Sequence, residues 1–335
     1  MKNKRPQQIY SKSLKKAFLL VSLFLISQIH AQISGCTDPM SKNFNPSATI
    51  NDGSCSYRST KVKPKYSVKL PAVLRETSGL ALSDNILWTT NDDTDTTIYG
   101  VDTSGLIQKK IALKKVSNKD WEEITQDSNY FYIGDFGNNV SGNRKDLHIL
   151  RIEKNTVEGN IQKIDTISFS YSNQTDFTKL KSNTTNFDCE AFVVVDDNIY
   201  FFTKQWKQKR TSVYTIPKTP GNYRAQLKDS FNLKGLITSA TIVTEKKLLV
   251  LSGYSKSLSP FIYLFYDYDH SDFFSGNKRK IKIALPFHQI EGITTPNGLQ
   301  YYLTNENFTR KPFIAIPQQL HQLDLSPYLS EYLGR

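Results

Sequence analysis

The sequence predicts an all-β fold: a β-propeller of four-stranded blades, preceded by a small disulfide-stapled N-terminal module. Three observations predict it. One hairpin pattern recurs through the chain, each copy is accompanied by two further strand-like segments, and two cysteines bracket a stretch too poor in apolar residues to hold a core of its own.

The hairpins are SGLALSDNILWTTND from Ser78, EEITQDSNYFYIGDF from Glu122, EAFVVVDDNIYFFTK from Glu190, SATIVTEKKLLVLSG from Ser239 and EGITTPNGLQYYLTN from Glu291. Each opens on Ser or Glu, runs as a short apolar strand, turns at residues such as Asp-Asn or Asn-Gly, and returns as a β-branched and aromatic strand. Ser78 to Asn91, Glu122 to Asp135, Ser239 to Ser252 and Glu291 to Thr304 are all 13 residues apart, and so are Glu190 and Thr203. A third strand follows in TTIYGVD, DLHILRIE, TSVYTIPK, FIYLFYDY and FIAIPQQL, and an alternating outer strand in QKKIALKK, DTISFSYS, KDSFNLKG and KIKIALP. The outer strand of the last blade is KYSVKLP near the N-terminus, which ties the chain ends together and removes an exposed edge. This arithmetic gives five blades; the 68 residues from Glu122 to Glu190 leave room for a sixth. A β-sandwich has no reason to repeat a hairpin of fixed length.

Residues 1–31 read as a signal peptide. Six Lys and Arg precede the apolar run AFLLVSLFLI, and SQIHA offers cleavage near Ala31. A run of ten residues is too short to span a bilayer, so no transmembrane segment is expected. A lipid anchor on Cys36 is disfavoured, because that cysteine lies ten residues beyond the apolar run. The mature chain is therefore expected to be secreted, periplasmic or cell-surface. The leader holds six of the 43 Lys and Arg and none of the 31 Asp and Glu, so cleavage takes the formal charge from +12 to +6. No basic stripe interleaved with aromatics remains, which excludes a nucleic-acid partner. Residues 32–57 form the small module, 58–65 a linker and 66–335 the propeller. A Cys36–Cys55 bond contributes about 3 kcal/mol by loop entropy and leaves Cys189 as a small buried hydrophobe. Asp38, Asn43, Asn45, Asn51 and Asp52 either cap turns or offer oxygens to Ca²⁺.

Antiparallel pairing puts the start of one strand and the end of the next at the same edge. Ser78, Glu122, Glu190, Ser239 and Glu291 should thus ring one mouth of the central channel. Asn91, Asp92, Asp135, Asn139, Lys204, Asn305 and Glu306 stand just outside, with Asp120, Asp188 and Gln289 two residues before the glutamates. Crowded carboxylates repel unless a cation intervenes. Lys204 and Arg144 supply one answer. A calcium ion on Glu122, Glu190 and Glu291 supplies the other. No G-x-S-x-G, H-E-x-x-H or Gly-rich phosphate loop is present. Two functions follow: a propeller that binds a small molecule, glycan, ion or surface protein at the acidic mouth, or a Ca-dependent phosphoesterase or lactonase with Glu122, Glu190 and Glu291 as its catalytic candidates.

The motifs TSGLA, TTND, NKDWEEIT, YIGDFGNN, DCEAF, ITSATI, QIEGIT and LTNEN, in that order, resemble a family of secreted bacterial β-propellers over roughly residues 74–316. The resemblance implies a site at Asn91, Asp92, Asp120, Glu122, Asp135, Asn139, Arg144, Asp188, Glu190, Lys204 and Glu291. Asn138 and Thr241 stand where that family usually carries Asp. At fold level the family is similar to the esterase-like phytase and gluconolactonase propellers, whose channel mouths hold Ca²⁺. GCTDPM, NFNP and ATINDGSC resemble a short module of bacterial secreted proteins.

Overall fold

The computed structural model describes residues 32–334; the expected signal peptide, residues 1–31, lies outside them. The small module pairs β1 (Ser34–Gly35) with β2 (Ile50–Asn51), and β3 (Thr60–Val62) and β4 (Tyr66–Lys69) follow. Blade I is β5 (Thr77–Ser83), β6 (Ile86–Asn91), β7 (Thr97–Val101) and β8 (Ile107–Ala112). Blade II is β9 (Trp121–Gln126), β10 (Tyr130–Asp135), β11 (His148–Glu153) and β12 (Ile164–Tyr171). Blade III is β13 (Cys189–Val195), β14 (Asn198–Thr203), β15 (Thr211–Pro217) and β16 (Gly221–Phe231). Blade IV is β17 (Leu236–Val243), β18 (Leu248–Tyr254), β19 (Pro260–Tyr266) and β20 (Asn277–Ile283). Blade V begins with β21 (Ile290–Thr294) and β22 (Gln300–Asn305), and a separate hairpin, β23 (Phe308–Arg310) with β24 (Ile314–Ile316), follows. β25 (Gln319–Asp324) returns to β22, and β4 closes the blade antiparallel to β25.

The inner strands β5, β9, β13, β17 and β21 contact one another in a closed ring. Apolar side chains fill each of the five seams between blades. Trp88 and Ile98 of blade I meet Trp121 and Ile133 of blade II, Tyr132 and Ile149 meet Phe192 and Phe201 of blade III, and Val193 and Phe202 meet Ile237 and Leu251 of blade IV. The remaining seams join Val250 and Ile262 to Ile293 and Leu303 of blade V, and Leu320 and Tyr302 to Leu80 and Leu87. Five blades are thus established, with the N-terminal closing strand as expected.

Three details differ from the sequence expectation. Residues 313–320 are not the third strand of blade V; that strand is β25, and much of the expected stretch belongs to the β23–β24 hairpin. The 68-residue interval holds no sixth blade but two long loops, 136–147 and 172–188, at the mouth end. Residues 58–65 contain β3, which adds in parallel to β20 of blade IV. The outer strands of blades II and III also pair in parallel, Ile167 opposite Gly221 through Tyr171 opposite Ala225.

Cys36 and Cys55 are bonded, and Cys189 is free and buried. The module's oxygens are taken by its own turns: Asp38 Oδ1 accepts from Met40 N, Asn45 Oδ1 from Ser47 N and Asp52 Oδ1 from Ser54 N. Asp38 Oδ2 also accepts from Tyr57 Oη at 2.7 Å and Tyr266 Oη at 2.5 Å, anchoring the module to blade IV. Mass spectrometry without reductant should show the Cys36–Cys55 cross-link. Burial pushes the Cys189 thiol up, so iodoacetamide should label it only after denaturation; labelling in the folded protein contradicts this placement.

Candidate functional site at the channel mouth

Every inner strand carries a β-bulge at the mouth. Register with the second strand shifts between Trp121 and Glu123, Cys189 and Ala191, Ile237 and Ser239, Ile290 and Gly292, and across Gly79–Leu80. A bulge leaves one residue unpaired and re-aims its side chain. The unpaired residues are Glu122, Glu190, Thr238 and Glu291, with the shift at Gly79–Leu80 in blade I.

Glu122, Glu190 and Glu291 accordingly line one cleft of about 380 Å³, together with Ser78, Asp92, Asn139, Lys204 and Glu306. Oxygens of Glu122, Asp188 and Glu190 lie within 4.8 Å of one another, and so do those of Glu76, Asp92 and Glu306 at the rim. Gly137 keeps this space open, since a Cβ there would stand 2.3 Å from Glu122 Oε1 and 2.2 Å from Asp120 Oδ2.

Charge is unevenly matched. Lys204 Nζ forms a buried ion pair with Glu190 and lies 4.8 Å above the Trp206 ring and 5.3 Å from that of Tyr254. Burial opposes its charge, but Glu190 and its acidic neighbours hold it protonated, well above the ordinary lysine range. Asp188 accepts from Asn138 N at 2.7 Å and from Trp206 Nε1 at 2.6 Å. The Glu122 carboxylate is 7% exposed and has no hydrogen-bond or ion-pair partner among the described residues. Burial, then Glu190 and Asp120, push it well above the usual carboxylate range. Burial also raises Asp92 to about 6, aided by Glu76. It takes Asp120 to about 7 with the help of Asp188, Glu291 to about 7 against the pull of Lys204, and Glu306 to about 9 with Glu291 adding.

Several expected site residues are engaged with the framework. Asp135 is fully buried in an ion pair with Arg144 at 2.6 Å. Asn91 Nδ2 donates to Val73 O. Asn305 donates to Pro317 O and is held by His321, whose Nε2 lies 2.7 Å from Asn305 Oδ1. Asn138 Nδ2 donates to Phe187 O of the 172–188 loop, and its Oδ1 accepts from Arg144 N within its own loop. Ser239 does not reach the mouth: one residue past the bulge, it turns into the channel and donates to Glu123 at 2.5 Å.

No protein-family model matches the chain, and no curated protein is similar to it. Solved structures that resemble it include a streptogramin B lyase (10% identity, TM-score 0.41, covering 77% of this chain and 98% of that one). Others are a putative oxidoreductase (glucose dehydrogenase) of Thermus thermophilus (8%, 0.43, 77% and 99%) and the Cps50 (Swd1) β-propeller domain of Myceliophteria thermophila (8%, 0.33, 72% and 72%). No helix among the described residues is long and apolar enough to cross a membrane.

Sequence reasoning missed Glu123, Glu76, Asn183, Trp206 and Tyr254. Glu123 escaped because regular alternation would send one of two adjacent glutamates away from the axis, whereas the bulge at Glu122 turns both toward it. Trp206 and Asn183 sit in loops with no repeat to flag them.

Proposed function

We propose that this is an exported binding propeller, secreted or at the cell surface, whose acidic mouth receives a cation: a divalent ion such as calcium, or the positive group of a ligand. The observation that carries this reading is Glu122, a carboxylate withdrawn from water, aimed into the cleft and left without a partner. Burying such a group unpaired is costly, and a cation relieves the cost. Lys204 is already engaged by Glu190. Calcium accepts several carboxylate oxygens in flexible geometry, and Glu122, Asp188 and Glu190 would hold it. Export is supported by the basic and apolar leader and by a disulfide suited to an oxidising compartment.

The mouth carboxyls bind protons more tightly folded than unfolded, so their contribution is complete below pH ~4 and is lost as pH climbs through about 6, 7 and 9. Asp146 and Asp324, both held at about 2, act in the opposite sense but only in acid. Melting temperature measured in chelator should therefore fall from pH 5 to pH 9, and millimolar CaCl₂ should restore most of the loss at pH 8 while doing little at pH 5. A melting curve flat with pH and indifferent to calcium overturns the reading. Asp120 and Glu291, both titrating near 7, also suit general acid–base work and favour calcium-dependent hydrolysis as the second reading; turnover of a phosphate monoester or a lactone that stops in chelator selects it.

A further inference from the structure

The cleft does not end at the glutamates. Trp206 and Asn183 also line a second groove, of about 620 Å³, built by the two long loops and the turn after β14. Its apolar wall is Leu180, 41% exposed, with half-buried Phe187 and Trp206; Gln174, Asn183 and Thr178 supply amides and a hydroxyl. The loops are fastened to each other: Leu180 N donates to Ser141 O at 2.9 Å, Asn183 N to Asn139 O at 2.8 Å and Gln174 Nε2 to Gly142 O at 3.0 Å. The groove is therefore pre-formed, and a ligand need not order it on binding.

An occupant of both spaces must bring a cation to unpartnered Glu122 and, next to it, an apolar group for Leu180, Phe187 and Trp206, on a backbone able to pair with side-chain amides. A bare metal ion leaves the groove empty. A neutral glycan can pair with the amides and lay its C–H faces on Phe187 and Trp206, but it brings no cation to Glu122. An extended polypeptide meets all three requirements, because successive side chains stand about 3.4 Å apart along a strand and alternate in direction. Resting on the cation-receiving reading of the mouth, we propose that mouth and groove together bind one extended segment of another protein, its Arg or Lys inserted beside Glu122 and a neighbouring apolar side chain seated on Leu180, Phe187 and Trp206.

The test uses end-capped pentapeptides with Arg or Lys fixed at the centre and randomised flanks, compared with N-acetylarginine amide, on the mature protein. The best peptides should carry Leu or Phe beside the basic residue and bind at least about tenfold tighter than the capped amino acid, the worth of one apolar side chain. Leu180→Asp should erase that gain, and Glu122→Gln should weaken peptide and capped arginine alike. If no peptide exceeds capped arginine, the polypeptide is refuted while the cation mouth stands. If glucosamine oligomers outbind every peptide, an amino-glycan takes its place. If neither capped arginine nor calcium binds, both readings fall.

Discussion

Replacing Glu123 by Ala should lower unfolding free energy by about 3–5 kcal/mol, one of the two largest effects expected in the protein. Glu123 is fully buried in the channel, one residue below the mouth. Its Oε1 accepts from Leu80 N of blade I at 3.2 Å and Ile124 N of blade II at 3.1 Å. Its Oε2 accepts from Ser239 Oγ at 2.5 Å and Ala240 N at 3.0 Å, both of blade IV. Ser239 Oγ in turn accepts from Ile293 N of blade V at 3.1 Å. One carboxylate thus fastens four of the five blades across the axis. Inner strands have no lateral partners at the channel, so these amides have nowhere else to go, and burial without a partner costs each of them. Gly79 makes the approach feasible: at φ +70° it takes a conformation that favours glycine, and a Cβ there would lie 2.6 Å from Glu123 Oε1. Thermal unfolding should show a drop of roughly 10 °C for Glu123→Ala. Glu123→Gln should lose less, since it keeps the shape but turns a donor toward Ser239 and Ala240. An alanine variant that melts within about 2 °C of the parent means the axis is held by seam packing alone.

Hairpin periodicity made the propeller legible, because a blade's inner two strands repeat both the alternation and the turn chemistry. The third strand of blade V was misplaced for a related reason: FIAI has strand composition, but composition does not say which neighbour a strand pairs with. At the mouth, the constant 13-residue distance correctly brought Glu122, Glu190 and Glu291 together. It failed at Ser239 because a constant distance does not fix where the bulge falls. The turns of blades II and IV both enclose four residues, between Gln126 and Phe131 and between Val243 and Leu248, yet the bulge of blade IV lies one residue farther from its turn, so Thr238 rather than Ser239 takes it. The groove was illegible for another reason: loops 136–147 and 172–188 have no counterpart in the other blades, so no internal comparison exposes them.

Trp121→Ala should destabilise by about 3–5 kcal/mol, while its neighbour Glu122→Gln should leave stability unchanged or raise it. The two residues are adjacent but diverge at the bulge. Trp121 still pairs, opposite Asp135, and its side chain enters the seam between blades I and II with no exposed surface. There it packs with Ile98, Leu113 and Phe131, and its indole Nε1 donates to Ser117 O at 3.2 Å. Truncation removes a large ring from a seam whose backbone is fixed by the ladder on either side, so the cavity cannot collapse. Glu122 points the other way, into the cleft, where it gives the fold nothing and repels Glu190, Asp120 and Asp188. The amide keeps its volume and ends the repulsion, so the melting temperature at pH 8 in chelator should rise slightly. Calcium or capped arginine should then stabilise Glu122→Gln far less than the parent, because the carboxylate charge is gone while its surroundings remain. Should Glu122→Gln instead unfold earlier than Trp121→Ala, Glu122 is a structural partner of Lys204, and the mouth carries no free site.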